Sequence, residues 1–317
     1  MKTLNKIFFL TIILLCACNK DITDIEDEQD TDEQIDNVLE LPGGFCIVTN
    51  DEVVINQDDI ERYDYSNHLI YMKKVKAFPS NITDYGNFTV FVDNDSIYSG
   101  QLFPPYASLR KTQPTIFADG QSMYKDYIVS IDYLKPVWDS LGNIVPDPRE
   151  DDRIIEALKK RNQFREGLSC KINSVKYFSS DSVIIDLVLN NKDSVNYYHM
   201  DINKMGINLF HYYTHGLIIK QTKNSAFYEA YRHKMDIEKP EPWNTWKMEW
   251  LSLIKAKESK NITIRYNSFD SITKGDYFVN FEYPGLKFQV ENKEDLVQDS
   301  GLVWLGEINM GKEIIIE

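Results

Sequence analysis

In residues 275–283, GDYFVNFEY, every second side chain from Tyr277 to Tyr283 is apolar: Tyr277, Val279, Phe281, Tyr283. A period of two places those four on one face of an extended chain, whereas a helix would scatter them around its axis. The stretch is thus a strand half-buried against a core, and its aromatic face demands a second layer to cover it. The pattern recurs. Ile172, Val175 and Tyr177, then Val183, Ile185 and Leu187, alternate in KINSVKYFSSDSVIIDLVLNN. Phe88, Val90 and Val92 alternate in NFTVFVDNDSIYSGQLF, where Asp93-Asn94-Asp95 supplies a turn and Ile97 and Leu102 return the chain. Aromatic residues make up 13% of the chain, with Tyr the commonest, and these are strand formers. The fold class predicted is mainly β.

The chain divides into two halves. After Leu41-Pro42-Gly43-Gly44, FCIVTN and EVVIN read as strands joined at Asn50-Asp51. QDDIERYDYSNHLIYM gives an acidic turn and then the strand His68 to Met72, and DYIVSIDYL is another strand. LGNIVPDPRE is a loop broken by Pro146 and Pro148, after which Asp151 caps DRIIEALKKRN, with Ile154, Ile155 and Leu158 at helical spacing. This predicts a small mixed β/α domain over 42–163. In 164–317, INLFHYYTHGLIIKQ reads as a strand pair turning near Thr214-His215-Gly216. Trp250, Leu251, Leu253 and Ile254 then lead through a Lys-Glu-Ser-Lys turn to the strand Ile262 to Tyr266, a loop carrying Phe269, and the strand described first. GLVWLGEINMGKEIIIE adds one or two more strands. The run from Trp250 onward resembles the last three strands of bacterial immunoglobulin-like β-sandwich domains, which implies such a sandwich over 164–317. Those domains serve as spacers, adhesins and binding modules, so the resemblance speaks to fold, not chemistry.

The N-terminus reads MKTLNKIFFLTIILLCAC. Lys2 and Lys6 flank an apolar stretch from Ile7 to Leu15, interrupted only by Thr11. It is shorter than the roughly 20 residues a membrane span needs and has the layout of a secretory leader, residues 1–17. Leu15-Cys16-Ala17-Cys18 resembles a bacterial lipobox, with small Ala17 ahead of Cys18; Cys16, behind Leu15, fits less well. The resemblance implies a diacylglycerol thioether on the Cys18 thiol, cleavage before Cys18 and acylation of the new amine, each buried CH2 contributing about 0.8 kcal/mol to anchoring.

Residues 18–41 form an acidic tether. From Asn19 to Glu40 there are ten acidic residues and one lysine. Like charge at low hydrophobicity prevents collapse. CNKDITD is similar to the acidic export signal of Bacteroidota-type surface lipoproteins. That implies a lipid-anchored protein of the cell outer membrane, exposed at the surface; a plain spacer facing the periplasm is the alternative reading. The net charge of −14 argues against nucleic acid as a partner. Cys46 and Cys170 remain, and two buried thiols are expected over a bridge.

Candidates for chemistry are few. His211 and His215 in HYYTH have the four-residue spacing of a zinc helix, but Tyr212 stands where that motif needs Glu, and the flanks read as strand. They are expected to be surface or satisfied imidazoles, His199 being near them in sequence, and no metal or cofactor is expected. In WNTWKMEW, Trp243, Trp246 and Trp250 share a face at helical spacing, between strands and beside Pro240 and Pro242. Trp250 reads as core; Trp243 and Trp246 are the candidate ligand-binding residues, suited to stacking on sugars or anchoring a protein. Asp147, Glu150, Asp151 and Asp152 sit at a helix start, where they oppose the macrodipole without any catalytic role. Asp93-Asn94-Asp95 lacks the Gly and distal Glu of a calcium loop. No G-x-S-x-G, H-E-x-x-H or phosphate-binding loop is present in the sequence. The function expected is a non-enzymatic binding or scaffold module for a protein or glycan. Its rivals are a glycan-binding accessory of a nutrient-uptake system and an extracytoplasmic hydrolase.

Overall fold

Among the described residues, the alternation read in the sequence is laid out in five sheets. The computed structural model describes residues 39–50, 52–74, 86–103, 112–117, 124–133, 145–179, 181–226, 229–287 and 289–317. The leader, Cys18 and the acidic stretch up to residue 38 lie outside the described residues, as does Asp51 of the Asn50-Asp51 turn. Leu39–Glu317 form one compact unit. Among the described residues, no helix is long and apolar enough to cross a membrane.

The first sheet has the order Glu52–Asn56, Phe45–Thr49, Gly86–Val92, Asp95–Phe103, Thr115–Phe117. Asn50 at φ 48° and Asp93 at φ 55° occupy the left-handed turn positions, which short polar side chains tolerate best. The helix Asp152–Lys160 adds Ile154, Ala157 and Leu158 to the core under this sheet. Asp151 caps it, its Oδ1 accepting the N–H of Arg153 at 2.9 Å.

A second sheet, Ile128–Ser130, Leu69–Met72, Ile60–Asp64, Phe164–Arg165, stands between two cores. All four residues of Leu69–Met72 are buried. Ile70 and Met72 join the core of Phe45, Val90 and Leu158, while Leu69 and Tyr71 join the core built mostly from residues 168–316. Successive residues of a strand point to opposite faces, so burial of both faces requires the unbroken apolar run LIYM.

Three sheets share the larger core. One is Leu168–Ser179, Ser182–Asn191, Ser259–Tyr266, and another is Leu251–Ile254, Tyr197–Met200, Gly301–Val303, Val297–Gln298. The third is Tyr231–Arg232, Ile218–Lys220, Gly275–Tyr283, Ile308–Ile316. Tyr277, Val279, Phe281 and Tyr283 are all buried, as their alternation predicts. The fold is mainly β.

INLFHYYTHGLIIKQ departs from the expected strand pair. Ile207–Phe210 is a helical turn following another at Ile202–Met205, and only Ile218–Lys220 is strand. Asp201 caps the first turn, and Gly206 at φ 82° separates the two. A four-residue apolar run is too short for its period to tell a buried helical turn from a strand. WNTWKMEW likewise forms no α-helix: its only helical element is the 3₁₀ turn Met248–Trp250. Cys46 and Cys170 are free thiols; Cys46 is buried, as expected, and Cys170 is half-buried.

Candidate ligand pocket

A cavity of about 750 Å³ opens where the turn Tyr65–His68 meets the segments around Ser130, Arg149, Ser169 and Glu307. Each wall is fixed by hydrogen bonds that its own sequence supplies. In the turn between Ile60–Asp64 and Leu69–Met72, Asp64 Oδ1 accepts from the Ser66 N–H at 3.0 Å and the Ser66 hydroxyl at 2.6 Å. Burial raises the Asp64 carboxyl to about 6, although the Ser66 bonds pull the other way. His68 closes the turn at φ 52° and is buried. Its Nδ1 lies 2.9 Å from the Tyr63 hydroxyl and its Nε2 lies 3.8 Å from Asp147 Oδ2.

Arg149 lines the cavity, with Asp147 behind it. Both are buried, and the guanidinium meets the carboxylate twice, Nε at 3.0 Å and Nη2 at 2.7 Å. Asp147 also caps the 3₁₀ turn Pro148–Glu150 through the Arg149 N–H at 2.9 Å. Arg149 Nη1 donates to the Ile131 carbonyl, and its guanidinium lies 5.4 Å from the Tyr133 ring. Bidentate geometry of this kind holds both groups rigidly.

The opposite wall is tied to the first. Asp193 accepts from the N–H groups of Glu166 and Gly167 at 3.1 and 2.9 Å, and from the Tyr197 hydroxyl at 2.6 Å. Gly167 has φ +71°, and a Cβ there would lie 2.4 Å from Asp64 Oδ1. Glycine lets this backbone approach the Asp64 turn. Asn67 Oδ1 accepts the Glu307 N–H at 2.9 Å. Glu166, Cys170, Lys192, Glu307 and Asn309 complete the lining. Burial pushes the Cys170 thiol up to about 12, which makes it a poor nucleophile.

One ligand atom from each of His68, Asp147 and Glu150 lies within 4.8 Å of the others. A cation placed there would meet the guanidinium already 2.7 Å from Asp147, and that positive charge opposes a second one. The pocket suits a polar ligand. Tyr65, Tyr124 and Tyr133 offer ring faces, while Asn67, Ser130, Asp132, Glu150 and Asn309 offer hydrogen-bonding groups.

The residues singled out from the sequence lie elsewhere. Trp243 is 57% exposed, Trp246 is half-buried against the larger core, and Trp250 is buried within it. The loop carrying the first two is fastened by the Tyr212 hydroxyl to the Trp243 carbonyl at 3.3 Å and the Tyr213 hydroxyl to the Thr245 carbonyl at 3.0 Å. His215 is exposed, so the HYYTH pairing does not form; buried His211 stacks on His233 instead. His199 is satisfied on Nδ1 by Tyr283 and the Met200 carbonyl. Glu150, read as a helix-start acid, lines the pocket, and Asp147 holds Arg149 from behind; His68, Asn67, Arg149 and Asp132 carried no signal in the sequence, because turns distant along the chain assemble them.

Comparison with known proteins adds little. No family model matches the chain, and no curated protein matches it. Two solved structures of a β-glucosidase from Kluyveromyces marxianus, one in complex with glucose and one selenomethionine-labelled, superpose at a TM-score of 0.20. Their identities are 11% and 12%, over 47% of this chain and 14% of theirs. A likeness that slight carries no argument about fold or activity.

Proposed function

We propose that this chain is a lipid-anchored cell-envelope protein acting as a non-enzymatic binding module, with the pocket between Asn67, Arg149 and Glu307 as its ligand site. The observation that carries the reading is the state of the pocket's reactive groups. Asp147 is engaged by Arg149, His68 Nδ1 by Tyr63, and the Ser130 hydroxyl by Asp132 at 2.5 Å. Walls locked in this way hold a ligand in one pose, which a binding module needs. The volume, about 750 Å³, is in the range of small-molecule sites. The anchor rests on Cys18, and the surface address on the acidic tether. An immunoglobulin-like sandwich over 164–317 is supported by three sheets whose buried residues share one core. A β/α domain over 42–163 is supported by the helix packed under the first sheet.

Two experiments test the proposal. Cys18→Ala should release the protein from the membrane fraction; unchanged membrane partition removes the anchor. A thermal-shift screen of uncharged polar small molecules should yield a ligand whose stabilisation disappears in Asn67→Ala and in Glu150→Gln. A screen whose hits are indifferent to both changes removes the pocket. A second reading, glycan binding through Trp243 and Trp246, is favoured by the exposure of the Trp243 ring. A glycan array compared before and after Trp243→Ala and Trp246→Ala decides it, and equal signals end it.

A further inference from the structure

The outward face of the sheet Ile218–Lys220, Gly275–Tyr283, Ile308–Ile316 can be mapped from its register. Since Tyr277, Val279, Phe281 and Tyr283 are buried, Asp276, Phe278, Asn280 and Glu282 point the other way. Lys220 and Glu313 flank Phe278 on the neighbouring strands, Gly311 stands opposite Asn280, and Asn309 stands opposite Glu282. Residues directly opposite share a face, so this surface is an ordered array with one aromatic ring near its centre.

Two cavities of about 520 and 640 Å³ lie along this face, and both are lined by Phe278 and Lys223. They are two lobes of one groove, with the Phe278 ring between them. Gly311 seats that ring. A Cβ there would lie 2.4 Å from Phe278 Cζ and 2.9 Å from Cε1. Because the position is bare backbone, the ring leans across onto the next strand and lies along the sheet instead of standing up from it. The Lys223 ammonium sits over the ring, 5.6 Å from its centroid, and its flexible stem must swing aside for a ligand to reach that face. The groove shares only Asn309 with the pocket described above.

We infer that this groove is a binding site for a neutral oligosaccharide, with Phe278 as the platform on which one sugar ring packs. The apolar C–H face of a pyranose needs a flat aromatic surface, and its equatorial hydroxyls need donors and acceptors at the rim. Lys220, Lys223, Asn280, Asn309, Glu282 and Glu313 supply both kinds. Charge supports neutrality of the ligand: Lys220 and Lys223 stand beside Asp276, Glu282 and Glu313, and Lys287 lies 3.8 Å from Glu282. That balance gives no attraction for a polyanion and little for a polycation. Two lobes on either side of one platform suit a chain of sugars over a single one.

The test uses the whole secreted chain with Cys18→Ala, titrated calorimetrically with cellotetraose, xylotetraose, maltotetraose and mannotetraose, and with glucose as the monomer control. At least one tetraose should bind more tightly than glucose. Phe278→Ala should weaken that binding about tenfold or more. Gly311→Val, which fills the ring's seat, should weaken it similarly. Trp243→Ala and Glu150→Gln should leave it unchanged, which separates this groove from both sites considered above. Phe278→Trp keeps a platform and should retain binding, with quenching of the new fluorescence on addition of sugar. No binding of any tetraose by the folded wild-type chain overturns the proposal. So does binding that survives Phe278→Ala, or preference for an acidic oligosaccharide such as a tetragalacturonate.

Discussion

His211 and His233 stack with ring centroids 4.7 Å apart and 25° between their planes, and no hydrogen bond reaches either nitrogen of His211. Tyr266 closes the group at 5.3 Å from one ring and 5.6 Å from the other. Gly216 packs against both imidazoles, where a Cβ would come within 2.5 Å of His233 Nε2.

Acid should therefore destabilise this protein. Burial pushes His211 down to about 3 and His199 down to about 4, and it lowers His233 as well. A folded value below the unfolded one of about 6.5 means that the unfolded state binds protons first. The stability these groups contribute is complete above about pH 6.5 and is lost as the pH falls toward 3–4. Asp64, raised to about 6, acts in the opposite sense, since protonating it relieves a buried charge. With three histidines against one carboxyl, urea midpoints should fall between about pH 7 and pH 4. His211→Phe removes two unpartnered nitrogens, so it should cost little at neutral pH and flatten that decline.

Breaking the Arg149–Asp147 pair should be costly. Arg149→Ala takes the guanidinium from a buried carboxylate and leaves the His68 imidazole, 3.8 Å away, as its basic neighbour; a loss of about 3–5 kcal/mol is expected from chemical denaturation. The double change Arg149→Met with Asp147→Asn removes both charges and should recover most of it. A single change as mild as a surface substitution would mean that the carboxylate reaches water by another path.

Gly285 tests close backbone packing. A Cβ there would lie 1.8 Å from the Gly306 carbonyl oxygen and 2.7 Å from the Leu305 carbonyl carbon. Backbone cannot swing aside as a side chain can, so Gly285→Ala should cost about 3 kcal/mol or more, read as a lowered urea midpoint. Gly206→Ala meets no neighbouring atom, but φ is +82°, so only the backbone conformation should register there, at about 1–2 kcal/mol.

The two thiols should be slow to react. Burial raises Cys46 to about 11 and Cys170 to about 12. Cys46 is fully buried, while Cys170 lines the pocket. Pulse alkylation followed by peptide mapping should label Cys170 slowly and Cys46 only on unfolding. A reducing agent should leave the melting temperature unchanged.

Strands announced themselves in the sequence wherever one face meets water. Tyr277 to Tyr283 and Phe88 to Val92 alternate because their opposite faces are solvated or only partly covered, and each is a strand; Val183 to Leu187 is a strand too, with Ile184 of its other face also buried. Asp151 is legible as a cap because its role is local. Ile207–Phe210 failed for the converse reason: four apolar residues in a buried turn carry no period. The pocket was illegible because its lining comes from turns such as Asn67, Arg149 and Glu307, which sequence distance keeps apart and only the fold brings together. Phe278 was hidden by its own neighbours, an outward aromatic within a strand whose inward aromatics set the pattern.

Because Leu69 and Tyr71 belong to one core while Ile70 and Met72 belong to the other, the strand acts as a party wall shared by two houses. A fragment cut at residue 164 would lose Leu69, Tyr71, Tyr127 and Ile128 from the interior of its own larger part and leave that side greasy and open. The halves should therefore melt in a single transition, and neither should be obtainable alone without aggregating.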